Sequence, residues 1–282
     1  MGVARYIAVL AVTGLLVGCG SGHRGATRPH PLPPARTITD SSVAPLPKRT
    51  VPRGPAHVPV PILMYHVVAS PPPGTPYPAL WVAPAQFARD VAALAGAGYH
   101  ATTLDAVWRA WHGRGPMPRH PIVLSFDDGY QSQSTVARRT LDRLHWPGVL
   151  NLAVKNVGLK GGLSRDEVRA MMGDGWEIAA HTISHVDLTT LDAAQLRHEV
   201  AGSRSWLQHA FGVPVDFFCY PSGRYNAAVE AAVRRAGYEG ATTTNPGEAS
   251  PRDDPFALPR VRVTPGMSAR DLLGVVRRLA HA

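Results

Sequence analysis

From residue 60 onward the chain alternates short apolar runs with longer amphipathic stretches. The runs VPILMYHV (60–67), PIVLSF (121–126), GVLNLAV (148–154), GWEIAA (175–180) and VDFFCY (215–220) have the length and continuity of strands buried on both faces. Shorter strands are predicted near 99–103, 240–244 and 259–263. Between them the helical period predicts helices from Pro84 to about Ala95, at 104–112, near 132–144, after Ser164, and at 192–211, 225–236 and 268–281. Pro84 suits a first-turn position, and Ser164 followed three residues later by Glu167 predicts a capping box. Strands that alternate with helices and lack tight hairpin signals predict a mainly parallel sheet. Seven or eight such repeats predict an α/β fold, a barrel related to the (β/α)₈ type. A doubly wound open sheet is the alternative that periodicity does not separate.

The chain before residue 60 reads differently. Residues 20–59 hold nine prolines among Arg, Ser, Thr and Gly and show no apolar period, which predicts an extended, disordered tether. At the start, Arg5 precedes an apolar stretch from Ile7 to Leu16, too short to span a bilayer comfortably. Leu16-Val17-Gly18-Cys19 resembles the lipobox of bacterial lipoproteins. That resemblance implies a signal peptide over 1–18 and lipidation of Cys19, which leaves a linker over 19–59 and, where the residue pattern changes, a folded domain over 60–282. An ordinary secretory signal is the competing reading. Either places the domain outside the cytoplasm, and the lipobox anchors it to the outer face of the membrane or to the cell envelope.

Charge follows the same division. The formal net charge is +9, of which residues 1–59 carry +6 and residues 60–282 carry +3. The basic balance therefore belongs mainly to the tether, where it favours anionic lipid or wall polymer, and it gives no reason to expect nucleic acid. With Cys19 lipidated, Cys219 has no disulfide partner and is expected as a small buried side chain.

Candidate chemistry begins with LSFDDGY, residues 124–130, where two adjacent carboxylates stand at the end of a buried strand. Burying two like charges is costly unless a cation or strong donors compensate. Asp127 and Asp128 can converge on one site only if the strand ends there, and Gly129 permits that turn. Two further polar clusters follow strands: His181 with His185 in HTISH, and Tyr220-Pro221-Ser222-Gly223. In parallel barrels the C-terminal strand ends carry the active site. Histidines four apart share one face of a helical turn. In a chain with 13 histidines the pair is weak alone. Joined by an aspartate, it suits Zn²⁺ or a similar divalent ion.

SFDDGY, HTISH and YPSG resemble the first three sequence motifs of the polysaccharide deacetylase family (carbohydrate esterase family four, the chitooligosaccharide deacetylase homology domain). The resemblance covers roughly residues 60–265 and implies a distorted (β/α) barrel that hydrolyses N-acetyl groups of amino-sugar polymers, or O-acetyl groups of xylan, with a divalent metal. It implies Asp127 as general base, Asp128, His181 and His185 as metal ligands, and the Ser222 backbone N–H as an oxyanion donor. Zinc is the first expectation, with cobalt or nickel as substitutes. The C-terminal histidine that protonates the leaving amine in many members is missing, since no histidine follows His209 until His281. His66, after the first strand, resembles instead the branch of poly-β-1,6-N-acetylglucosamine deacetylases, in which the motif order is circularly permuted. That implies His66 as the catalytic acid.

Motif three departs as well, with Cys219 where many relatives carry the arginine that orients the base. Arg260 is the expected substitute from across the barrel, ahead of Arg224. Tyr130, Tyr220 and Pro221 are the expected substrate contacts, with Trp81 a further candidate. Trp176 and Trp206 fit core positions. The expected partner is an acetylated amino-sugar polymer, exopolysaccharide or peptidoglycan, handled by a monomer. An O-acetyl esterase of xylan or wall sugar and a non-catalytic glycan-binding lipoprotein are the alternatives.

Overall fold

A computed structural model describes residues 52–279. Cys19, the signal sequence, most of the expected tether and His281 lie outside them. In chain order the elements are β1 (Arg53–Gly54), β2 (Ile62–Tyr65), α1 (Pro84–Gly96), β3 (His100–Thr102), α2 (Leu104–Trp111), β4 (Met117–Pro118), β5 (Pro121–Asp127), α3 (Arg139–Asp142) and β6 (Val149–Leu152). They continue with α4 (Arg165–Gly173), β7 (Glu177–Ala180), α5 (Ala193–Phe211), β8 (Phe217–Cys219), α6 (Ala227–Arg235), β9 (Gly240–Pro246), β10 (Leu258–Arg262) and α7 (Ala269–Leu279).

Seven strands form the ring β2-β10-β9-β8-β7-β6-β5, which closes because β2 pairs in parallel with β5 as well as with β10. The eighth predicted strand, β3, pairs with the start of β5 outside the ring. Closure decides between barrel and open sheet. It also sets the first ring strand of the chain between the last one and β5.

Inside the ring the strands change character along their length. Ile62, Val123, Val149, Ala179, Phe217 and Leu258 make an apolar layer, packed with Leu104, Val107 and Trp111 of the amphipathic helix α2. Two residues further on, where side chains return to the same face, stand Ser125, Asn151, His181, Cys219 and Arg260, all buried. Leu124, Phe126, Leu150 and Leu152 belong instead to the larger cluster with α1, α4 and α5. The apolar layer supports the barrel and the polar layer is available for chemistry.

Two expectations need correction. The folded unit begins before residue 60: Arg53–Gly54 pairs antiparallel with Met117–Pro118, and Val58 O accepts from Trp111 Nε1 at 2.9 Å. A proline-rich stretch lacks an apolar period, yet its carbonyls still serve a buried indole donor. The helix expected near 132–144 is a π-helical turn over Gln133–Arg138 followed by α3. The wide turn accompanies Gln133, a fully buried side chain whose Nε2 donates to His66 O at 3.0 Å and Asp127 O at 2.6 Å. The predicted capping box at Ser164 and Glu167 is present.

Candidate active site

β5 ends at Asp127, and the chain then turns through Asp128 (φ 73°) and Gly129 (φ 80°). Both values lie in the left-handed region, which glycine enters freely and aspartate at some strain. A Cβ on Gly129 would also stand 3.1 Å from Leu152 Cδ2. The turn sends the two carboxylates to different partners.

Asp127 points into the barrel, where Arg260 of β10 grips it with both arms: Nη1 donates to Oδ1 at 2.8 Å and Nη2 to Oδ2 at 2.9 Å. Arg260 is itself buried and further held by Thr243 O and Ser125 Oγ. Asn151 Nδ2 adds a third donor to Asp127, 2.7 Å from Oδ1. His66 follows β2, and its Nε2 lies 3.6 Å from Asp127 Oδ2. Burial alone would raise the Asp127 carboxyl, but Arg260 and then His66 outweigh it and hold it far below the ordinary carboxylate range. Burial lowers the His66 imidazole, against the pull of Asp127 and Asp128. Cys219 Sγ lies 3.3 Å from Arg260 Nη2, and burial pushes its thiol pKa up.

Asp128 faces the histidines instead. Its Oδ1 is 3.5 Å from His181 Nε2 and 3.3 Å from His185 Nε2. His181 Nδ1 is 2.6 Å from Cys219 O, a carbonyl that can only accept. The Nδ1–H tautomer therefore leaves the Nε2 lone pair free. One carboxylate and two imidazoles, with ligand atoms within 4.8 Å of one another, are a group that could hold a divalent ion. Asp127, His181 and Cys219 form a second such group. The Arg260 guanidinium beside Cys219 already neutralises Asp127 there, so the Asp128 set fits a cation better.

The histidines do not share a helical turn as expected. Thr182 (φ 67°) and His185 (φ 53°) are left-handed, and the segment is a bend. Glu199 of α5 holds it: Ile183 N and Ser184 N each donate to Glu199 Oε2 at 2.9 Å, and Ser184 Oγ donates to Oε1. Thr182 Oγ1 accepts from His185 N at 2.8 Å. Nothing in the HTISH pattern names Glu199, because two of its three partners are backbone amides.

Ser222, also left-handed (φ 54°), is exposed on the turn after β8. Gly223 is required there, since a Cβ would fall 2.0 Å from Thr244 Oγ1. Tyr130 lines a groove of about 630 Å³ beside Asp128 with Val67, Trp81 and Lys160. Burial, then the Asp128 carboxylate that its hydroxyl meets, pushes the Tyr130 phenol up to about 12. The expectation for Tyr220 and Pro221 is corrected. Both are buried; the Tyr220 hydroxyl donates to Phe256 O at 3.0 Å and its ring stacks on Tyr225, so neither faces a polymer. Arg224 pairs with Asp187 at the surface and leaves Asp127 to Arg260. Trp176 is core, and Trp206 is half-buried beneath Arg165.

Known proteins resemble this chain in sequence and in fold. A family model described as polysaccharide deacetylase matches residues 114–241. Over 210 residues, 74% of this chain and 73% of the relative, the sequence is 32% identical to YxkH of Bacillus subtilis (strain 168), which is named for that family. The structure of the Streptococcus pyogenes deacetylase PplD in complex with acetate is similar at a TM-score of 0.73 and 27% identity, over 78% of this chain and 99% of that one. IcaB from Ammonifex degensii shares the fold at a TM-score of 0.66 and 22% identity, over 81% of this chain and 100% of that one.

Proposed function

The chain belongs to the polysaccharide deacetylase family, and from that premise we propose that it removes N-acetyl groups from an N-acetylglucosamine-containing polymer outside the cytoplasm, with a divalent metal at Asp128, His181 and His185. The observation that carries this reading is the convergence of Asp127, Asp128, His181, His185 and His66 at the C-terminal strand ends, with Arg260 beneath them. When bound, the metal supplies Lewis acidity that makes water a stronger acid and an acyl carbonyl a better electrophile.

The remaining chemistry falls to the chain. Arg260 keeps Asp127 ionised, so its carboxylate is ready to accept a proton at any physiological pH. A carboxylate so stabilised holds a proton weakly, and His66, 3.6 Å from Oδ2, is placed to carry it to the departing amine. The Ser222 amide is the donor assigned to the developing oxyanion. The groove beside Asp128 is lined by Trp81 and Tyr130, which offer aromatic surface to sugar rings. In this reading the cell-envelope polymer, exopolysaccharide or peptidoglycan, is reached through an export signal over residues 1–18 and a lipid on Cys19.

Acetate release tests the reading. Purified protein is given β-1,4- and β-1,6-linked N-acetylglucosamine oligomers and acetylxylan, with chelator and then with zinc or cobalt restored. Release from an amino-sugar oligomer, lost on chelation, recovered with metal and lowered about 10²–10⁴-fold to a small measurable residue in Asp127→Asn, is expected. Release from acetylxylan alone would replace the proposal with the esterase reading, and full activity in metal-free protein would end the metal assignment.

A further inference from the structure

The site contains a side chain with no part in the motifs. Asn151 lies on β6 between Leu150 and Leu152, in a run that otherwise reads as buried apolar strand. It is fully buried, and its Nδ2 donates to Asp127 Oδ1 at 2.7 Å. The carboxylate can only accept, so the amide must present its NH₂ to it. Its own oxygen then has no partner in the structure. A residue chosen for packing alone would not leave a buried carbonyl oxygen unpaired, and leucine, with the same branched skeleton, would need no partner.

The bonds around Asp127 are unequal. Oδ1 receives two donors, Arg260 Nη1 at 2.8 Å and Asn151 Nδ2 at 2.7 Å. Oδ2 receives one close donor, Arg260 Nη2 at 2.9 Å, with His66 Nε2 at 3.6 Å and Cys219 Sγ at 3.8 Å beyond it. We infer that Asn151 is a positioning residue which, with Arg260, saturates Oδ1 of Asp127 and leaves Oδ2, on the side of His66, to meet the reacting proton. Arg260 alone holds the plane of the carboxylate. Asn151 comes from a strand on the opposite side of β5 from β2 and β10, so the two together remove the remaining tilt. The inference rests on the deacetylase reading.

A double-mutant cycle tests it. Asn151→Leu removes the donor without opening a cavity, and it should lower kcat about tenfold to a hundredfold with KM within about twofold. Metal content and thermal midpoint should match those of the wild type. In an Asp127→Asn background the same change should alter residual kcat by less than about twofold, because a positioning residue acts only through the group it positions. Unchanged kcat in the single variant, losses that multiply in the double variant, or a loss that tracks metal content would each overturn the inference. Should Asn151→Leu fail to fold, Asn151→Ala carries the same expectations for kcat and for the cycle. Absence of acetate release by the wild type on every glycan would sink the deacetylase reading itself, and is seen before any variant is made.

Discussion

Arg260 is the residue on which the site turns. A fully buried guanidinium and a buried carboxylate are each expensive to remove from water, and here each is the other's compensation. The strong depression of the Asp127 carboxyl is the electrostatic expression of that pair. Arg260→Met should therefore lower stability by about 3–5 kcal/mol, since it strands Asp127 without its partner. It should abolish turnover as well. Denaturant melts and acetate release report the two losses, and a variant as stable as wild type would show that Asp127 had found protonation or water instead. The sequence pointed to Arg260 because a motif-three arginine was missing and a late strand offered one. It could not point to Asn151, whose partner is one carboxylate oxygen, or to Glu199, which holds two backbone amides and the Ser184 hydroxyl.

Among elements, α2 and β7 show how the barrel floor is fastened. Thr103 caps α2 through Ala106 N, and Glu177 at the start of β7 accepts from Asp105 N at 3.0 Å. Burial is the main cause that pushes the Glu177 carboxyl up to about 8, against an ordinary value of 4.5, and the neighbouring Asp105 and Asp216 charges add to it. Across that interval the native state keeps a proton that the unfolded chain has released. The contribution of Glu177 to stability is complete below about pH 4.5 and declines as pH rises through about 8. Glu177→Gln should flatten the fall of the unfolding midpoint between those values. Parallel profiles for variant and wild type would refute the assignment. Helices and strands were readable because burial imposes a period. The π-helical turn at Gln133–Arg138 was not, because it follows from one glutamine reaching two strand ends.

On the scale of the whole molecule, ring closure explains how an N-terminal histidine reaches a site whose aspartates lie some sixty residues later in the chain. β2 sits between β10 and β5, so His66 and Arg260 approach Asp127 from neighbouring strands. Chain order matters little when strands close a ring; only spatial neighbours count. The start of the chain carries the remaining prediction. If Cys19 is lipidated, inhibiting lipoprotein signal peptidase should leave a larger precursor in the cell envelope. An unchanged mobility would return the export signal to the ordinary secretory kind.

The order of strands and helices, the pair of carboxylates at a strand end and the histidine pair were determined by the sequence alone, because each is a local pattern of burial or chemistry. Only the tertiary structure decided that Asn151 shares Asp127 with Arg260, that Glu199 holds the histidine segment, that Tyr220 is core, and that seven strands close while β3 stays outside. Those outcomes depend on contacts between residues far apart in the chain, and a one-dimensional pattern holds no distance between them.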